Sequence, residues 1–226
     1  MTKRYVVTVD GPAGSGKSTV SRLLARRLSY MYLDTGALYR ALALKVSVAG
    51  LAADRVGIAA LCSATDIALV ECEGATRILL DGRDVTELIR TPEISMLAST
   101  VSALPEVRQR LLAVQREAAR SGGIVAEGRD MGTVVFPGAD VKFFLTAGPE
   151  ERSRRRWLEL RERGHEVSLD EVLRDVVRRD RQDSERAIAP LRPSEDGVLV
   201  DSTGKTIDEV VEEMLGAVRG KASKAL

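Results

Sequence analysis

Residues 11–18 read Gly-Pro-Ala-Gly-Ser-Gly-Lys-Ser, the pattern G-x-x-x-x-G-K-S. A β-branched apolar run at residues 6–9 precedes them and reads as a buried strand. Val20, Leu23, Leu24 and Leu28 follow at helical spacing. A strand, a glycine-rich turn and a helix in that order make a phosphate-binding loop. Glycines let successive backbone N–H groups turn toward an anion with no Cβ in the way. The helix starting near Lys17 points its positive end at the same anion. Lys17 then reaches the β- and γ-phosphates, and the Ser18 hydroxyl is placed to ligate Mg²⁺ directly. The segment Gly11, Pro12, Ala13, Gly14, Ser15, Gly16, Lys17, Ser18 is therefore expected to hold a nucleoside triphosphate with its metal.

The rest of the chain alternates in the same way. Strands are expected at 31–33, 124–126, 141–145 and 198–200. Helices are expected at 19–28, 37–48, 105–121, 149–163, 168–183 and 207–219, with fraying after Gly220. This alternation predicts an α/β fold, a parallel sheet with helices on both faces. Residues 51–90 break the rhythm. A short helix at 56–64 leads to two alternating segments, 66–72 and 76–80, joined by Glu73-Gly74-Ala75 as a hairpin. A turn at 81–84 follows, and helix resumes at 87–100. This stretch predicts a small antiparallel lobe inserted in a single domain. In open parallel sheets ligands sit at the carboxyl ends of the strands. That rule selects Asp10 and its loop, Asp34-Thr35, Glu127-Gly-Arg-Asp, Thr146 and Asp201-Ser202.

Composition narrows the partners. A net charge of +1 over 226 residues argues against a nucleic-acid or membrane-surface binder. Residues 150–186 hold eleven Arg but also eleven Asp or Glu; much of this is helix-surface pairing at i,i+3 and i,i+4. Yet 27 of the 34 basic residues are Arg, the side chain that clamps phosphate in bidentate fashion. Cys62 and Cys72 show neither metal spacing nor a disulfide framework. No apolar run reaches membrane-spanning length, and the first residues lack a signal-peptide pattern. The chain is expected in the cytoplasm, and as a monomer, since no heptad or apolar stripe stands out.

Glu127 ends an apolar strand beside the loop and is expected to reach Mg²⁺ through water. Arg129 is placed to clamp a phosphate, and Asp130 to accept hydrogen bonds from a base or sugar. Arg179, Asp183 and Arg186 lie three to four residues apart and share a helix face. His165, the single histidine, follows the Gly164 break and is expected in solvent; Trp157 is expected to pack. No N-K-x-D guanine reader occurs, which argues against a GTPase switch.

In order and spacing, Gly11–Ser18, Asp34-Thr-Gly-Ala-Leu-Tyr-Arg40, Glu127-Gly-Arg-Asp-Met-Gly-Thr133 and Arg186-Ala-Ile-Ala-Pro-Leu191 resemble the bacterial cytidylate kinases. The likeness spans nearly the whole chain, with Asp201-Ser-Thr near the end. It implies the nucleoside monophosphate kinase fold: a five-stranded parallel sheet, an inserted small antiparallel lobe and a short lid. The corresponding regions are a core at 1–50, 101–150 and 167–226, a monophosphate-binding lobe at 51–100 and a lid at 151–166. It implies transfer of the γ-phosphoryl group of ATP to CMP, and to dCMP, with Mg²⁺. Residue by residue, it implies Thr19 and Arg155 as further ATP contacts. Ser99, Arg108 and Asp130 resemble cytosine readers. Arg40, Arg129 and Arg186 resemble acceptor clamps that act with Lys17 in transfer. Thr35, Arg179 and Asp183 resemble sugar or phosphate contacts. Thr35 stands where members often carry Ser, which keeps the hydroxyl. The acceptor oxygen of a monophosphate is already anionic, so no general base is needed; catalysis reduces to positioning and charge neutralisation.

Overall fold

Strand β1 (Val6–Asp10) lies at the centre of a five-stranded sheet of order β2-β6-β1-β7-β8. The computed structural model describes residues 4–72 and 75–223. β1 pairs in parallel with β6 (Ile124–Gly128) on one side and β7 (Val141–Thr146) on the other; β8 (Val198–Asp201) adds in parallel to β7. β2 (Met31–Asp34) forms the other edge.

Two compact units make up the chain, residues 1–32 with 121–226 and residues 33–120, and the division falls inside β2. In the first unit, β1 alternates: Val7 and Val9 enter a core with Val20 and Leu24 of α1 (Lys17–Leu28) and Met214 and Leu215 of α8 (Ile207–Ser223). Thr8 and Asp10 therefore face the opposite side of the sheet. A single π-helical turn, Met131–Val135, packs against β1 there. Helices α6 (Pro149–Glu162) and α7 (Leu169–Glu185) pair with each other, Leu160 against Val172 and Val176. Trp157 packs on this cluster and donates to the Val167 carbonyl at 3.0 Å, as the packing role required.

The second unit has its own core. Leu38, Leu42 and Val46 of α2 (Thr35–Val48) join Ile58 of α3 (Arg55–Ser63), Ala98 and Val101 of α4 (Pro92–Val101) and Val107 and Leu111 of α5 (Pro105–Ala118). Its three-stranded antiparallel sheet is β3 (Ile67–Cys72), β4 (Ala75–Leu80) and β5 (Arg83–Asp84). The hairpin connection expected at Glu73-Gly74 lies outside the described residues.

Sequence and structure differ most at residues 81–91. The expected turn at 81–84 contains β5, and the helix expected from residue 87 begins at Pro92. Local hydrogen bonds explain both. Thr86 Oγ1 accepts from the Ile78 amide at 3.0 Å, and the Asp84 carboxylate accepts from the Thr86 amide at 2.9 Å, so the chain stays beside β4. Thr91 then accepts from the Ile94 amide at 3.2 Å, and Pro92, which has no N–H to lose, takes the first helical position. β6 also extends beyond its expected end, so Glu127 stands inside the strand. α8 continues through residues 221–223, where fraying was expected.

Candidate active site

The loop expected to bind phosphate joins β1 to α1, with Gly16 in the left-handed region just before Lys17. Gly11 is fixed by crowding: a Cβ there would lie 2.0 Å from the Leu145 carbonyl oxygen. Lys17 is buried; its Nζ donates to the Pro12 carbonyl at 2.6 Å and to Ser15 Oγ at 3.4 Å. Burial, and then the neighbouring Arg129, lower its pKa from the usual lysine value to about 7.

Ser18 Oγ donates to Glu127 Oε1 at 2.7 Å, so the two residues expected at the metal are in direct contact. A hydroxyl and a carboxylate are the hard oxygen donors that Mg²⁺ takes, in small number, alongside water and phosphate. The residues fit the ion.

Asp10 anchors the segment after β6. Its two carboxylate oxygens accept from the Met131 amide at 2.8 Å and the Gly132 amide at 2.7 Å. Burial outweighs these bonds and raises its pKa to about 6. The turn so held carries Arg129 and Asp130. Arg129 Nε donates to Asp183 Oδ2 on α7 at 2.8 Å, and Arg186 Nη2 lies 3.6 Å from Asp130 Oδ1. Arg186 Nε is also held by the Ala189 carbonyl at 2.5 Å. Burial opposes the charges of Arg129 and Asp183. Their mutual attraction overcomes it, raising the pKa of Arg129 and, with Arg179, lowering that of Asp183. Four of the sequence-selected acceptor residues thus form two ion pairs in the first unit, each a buried Asp with a half-buried Arg.

Within the second unit, Asp34 caps α2 by accepting from the Ala37 amide at 3.0 Å, and its other oxygen holds Arg40 Nη2 at 2.8 Å. Thr35 is buried at the start of the same helix. Arg108 Nη1 donates to the Ser102 carbonyl at 3.4 Å, with its guanidinium 6.0 Å from the Tyr39 ring centre; Ser102 Oγ donates to the Ser99 carbonyl at 2.8 Å. Ser99 and Arg108 are therefore close neighbours.

A groove of about 650 Å³ runs from the loop past Arg155 of α6 to Ile207 and Val210 of α8. Arg155 is fixed at its rim: Nη1 donates to Ser202 Oγ at 2.9 Å, Nη2 to the Ser202 carbonyl at 2.8 Å, and Nε to Glu151 at 2.8 Å. Ser202 Oγ in turn lies 3.2 Å from the Ser15 carbonyl and 3.0 Å from that of Thr146. The strand-end rule had selected Ser202, but the apolar wall of Ile207 and Val210 carried no signal apart from its amphipathic helix. Arg152, whose Nη1 donates to the Ala13 carbonyl of the loop at 3.2 Å, belongs to no motif the sequence offered.

A phosphate loop after the first strand of a parallel α/β sheet, with half-buried arginines paired to aspartates beside it, defines a small phosphotransferase. The chain matches the solved structure of a gluconokinase from Sinorhizobium meliloti over 99% of its length and 97% of that chain, with TM-score 0.51 and 16% identity, which supports the fold alone. The cytidylate kinase family model matches residues 7–220. Proteins named cytidylate kinase are similar in sequence. The one from Geobacter sulfurreducens is 54% identical over 95% of this chain and 92% of its own. That from Carboxydothermus hydrogenoformans is 52% identical over 95% and 97%. The chain belongs to the cytidylate kinase family and is an ATP-dependent nucleoside monophosphate kinase.

Proposed function

We propose that this chain transfers the γ-phosphoryl group of ATP to CMP, and to dCMP, giving the diphosphate and ADP. The observation that carries the site assignment is the two half-buried ion pairs, Arg129–Asp183 and Arg186–Asp130, in the unit that bears the phosphate loop. Guanidinium groups held in place beforehand lose little entropy on meeting a phosphate. In this reading Arg129 and Arg186 neutralise the acceptor phosphate, and Arg40 and Arg179 add to that charge. Lys17 turns from the Pro12 carbonyl to the transferred group. Gly11 to Thr19 and Arg155 hold ATP. Thr35 and Asp183 orient the acceptor, while Ser99, Arg108 and Asp130 read its base. Mg²⁺ on Ser18, with Glu127 behind a water, would supply charge neutralisation at the β- and γ-oxygens. No side chain has to remove a proton.

Among the described residues no helix is long and apolar enough to cross a membrane. We place the enzyme in the cytoplasm as a monomer acting on small nucleotides.

Arg129→Ala tests the assignment. The loss of one charge-assisted clamp should raise KM for CMP roughly tenfold to hundredfold. The Kd of ATP should change by less than about threefold, because the nucleotide's other contacts remain. An equal loss on both substrates would put Arg129 on the donor instead.

A further inference from the structure

Arg152 is a buried charge that no motif singles out. It lies in the first turns of α6 with 5% of its surface exposed. Its guanidinium joins three elements. Nε donates to the Ala147 carbonyl after β7 at 2.8 Å, and Nη1 donates to the Ala13 carbonyl in the phosphate loop at 3.2 Å. Nη1 also lies 2.7 Å from Asp180 Oδ2 on α7. The loop also lies close against the backbone of Arg152. Gly14 has a φ of +75°, and a Cβ there would come within 2.7 Å of the Arg152 carbonyl oxygen.

Asp180 directly follows Arg179 and stands three residues before Asp183, the partner of Arg129. Its charge is also among those acting on Arg129. A guanidinium already engaged by two carbonyls and a carboxylate has few donors left for a substrate. It is placed as a strut. α7 is also held by Leu160 against Val172 and Val176, and by Arg129 and Arg186, but the Arg152–Asp180 pair runs through a side chain that bonds the phosphate loop itself.

We propose that Arg152 and Asp180 are a positioning pair that fixes α7, and with it Arg179 and Asp183, against the phosphate loop during phosphoryl transfer. This rests on the assignment of Arg129 and Asp183 to the acceptor. Small displacements of a positioned reactant are expensive, about a hundredfold in rate for roughly 1 Å. Breaking the strut should therefore appear in kcat, with substrate affinity little changed.

The test is a double-mutant cycle on the full chain, with kcat, KM for CMP, Kd for ATP and Tm measured for each protein. Asp180→Asn should lower kcat at saturating substrates by about tenfold or more, with the Kd of ATP within about threefold. Arg152→Gln should lower kcat similarly, and the double variant should be little worse than the worse single, as expected of groups acting together. Asp180→Glu, which keeps the charge, should recover part of the loss. A purely structural pair would lower Tm but leave kcat per folded molecule within about twofold of the parent; that result, or losses that multiply in the double variant, overturns the proposal. If Asp180→Asn does not fold, Arg152→Lys, which keeps the charge and loses the fork, is judged by the same thresholds. An unaltered KM for CMP in Arg129→Ala would defeat the acceptor assignment alone, whereas an unaltered kcat in Asp180→Asn would defeat the strut alone.

Discussion

Burial opposes the charge of Lys17, and the positive neighbours Arg129 and Arg179 oppose it further, which brings its pKa to about 7. Above that value the free enzyme holds a largely neutral lysine. A bound triphosphate favours the ammonium, so ATP binding at pH 8 should draw a proton onto Lys17, while at pH 6 the lysine is already charged. Calorimetric titration in two buffers of different ionisation enthalpy reads this directly: proton uptake at pH 8 is expected, and its absence would contradict the assignment. Base choice is argued from Asp130, which is 3% exposed and held near Arg186. An ionised carboxylate accepts and cannot donate. It suits the C4 amino group of cytosine and repels the O4 of uracil. Asp130→Ala should therefore lower kcat/KM for CMP much more than for UMP, and Asp130→Asn should lose selectivity more than total activity. An unchanged CMP-to-UMP ratio in both would leave Ser99 and Arg108 as the readers. At this scale the sequence was informative where a residue belongs to a motif. It was silent on Arg152, because nothing local separates that residue from the ten other arginines of 150–186; its role exists only through Ala13, Ala147 and Asp180.

In helix α2 one residue serves both the element and the proposed acceptor clamp Arg40. Asp34 satisfies an end amide of the helix with one oxygen and holds Arg40 with the other. Asp34→Ala should cost about 1 kcal/mol as a lost cap, seen as a lower denaturant midpoint, and should also raise KM for CMP by releasing Arg40. Asp34→Asn keeps a capping oxygen and loses the ion pair, so it should leave the midpoint nearer the parent and still raise KM. If Asn restores both, Arg40 does not depend on the pair. The elements themselves were legible where periodicity was strong, as in α1, α2, α5 and α7, the last announced by the Ser168–Glu171 capping box. They were misplaced at 81–91, where side-chain bonds from Asp84 and Thr86 outweigh helix propensity. The π turn at 131–135 was not foreseen: its hydrogen bonds, such as Phe136 N to the Met131 carbonyl at 2.7 Å, depend on Asp10 reaching across from β1.

For the whole molecule, the alternation of apolar strands and amphipathic helices was enough to indicate a parallel α/β sheet with a phosphate loop after its first strand, but not that this strand lies at the centre. The strand order β2-β6-β1-β7-β8 places Asp10 and Thr146 at the carboxyl ends of adjacent strands, with Glu127 one residue before the end of the third. What neither order nor composition states is the destination of the phosphoryl group, because one fold can carry many acceptors. Here the cytidylate kinase family membership points to CMP. The most direct measurement is the rate of ADP formation with ATP and Mg²⁺ against CMP, dCMP, UMP and AMP, with the phosphorylated product identified in each case. The account predicts CMP as a preferred acceptor, dCMP used, UMP and AMP poor, and little ADP formed with no acceptor present. Preference for UMP or AMP, or ADP released at the same rate without any monophosphate, would contradict it.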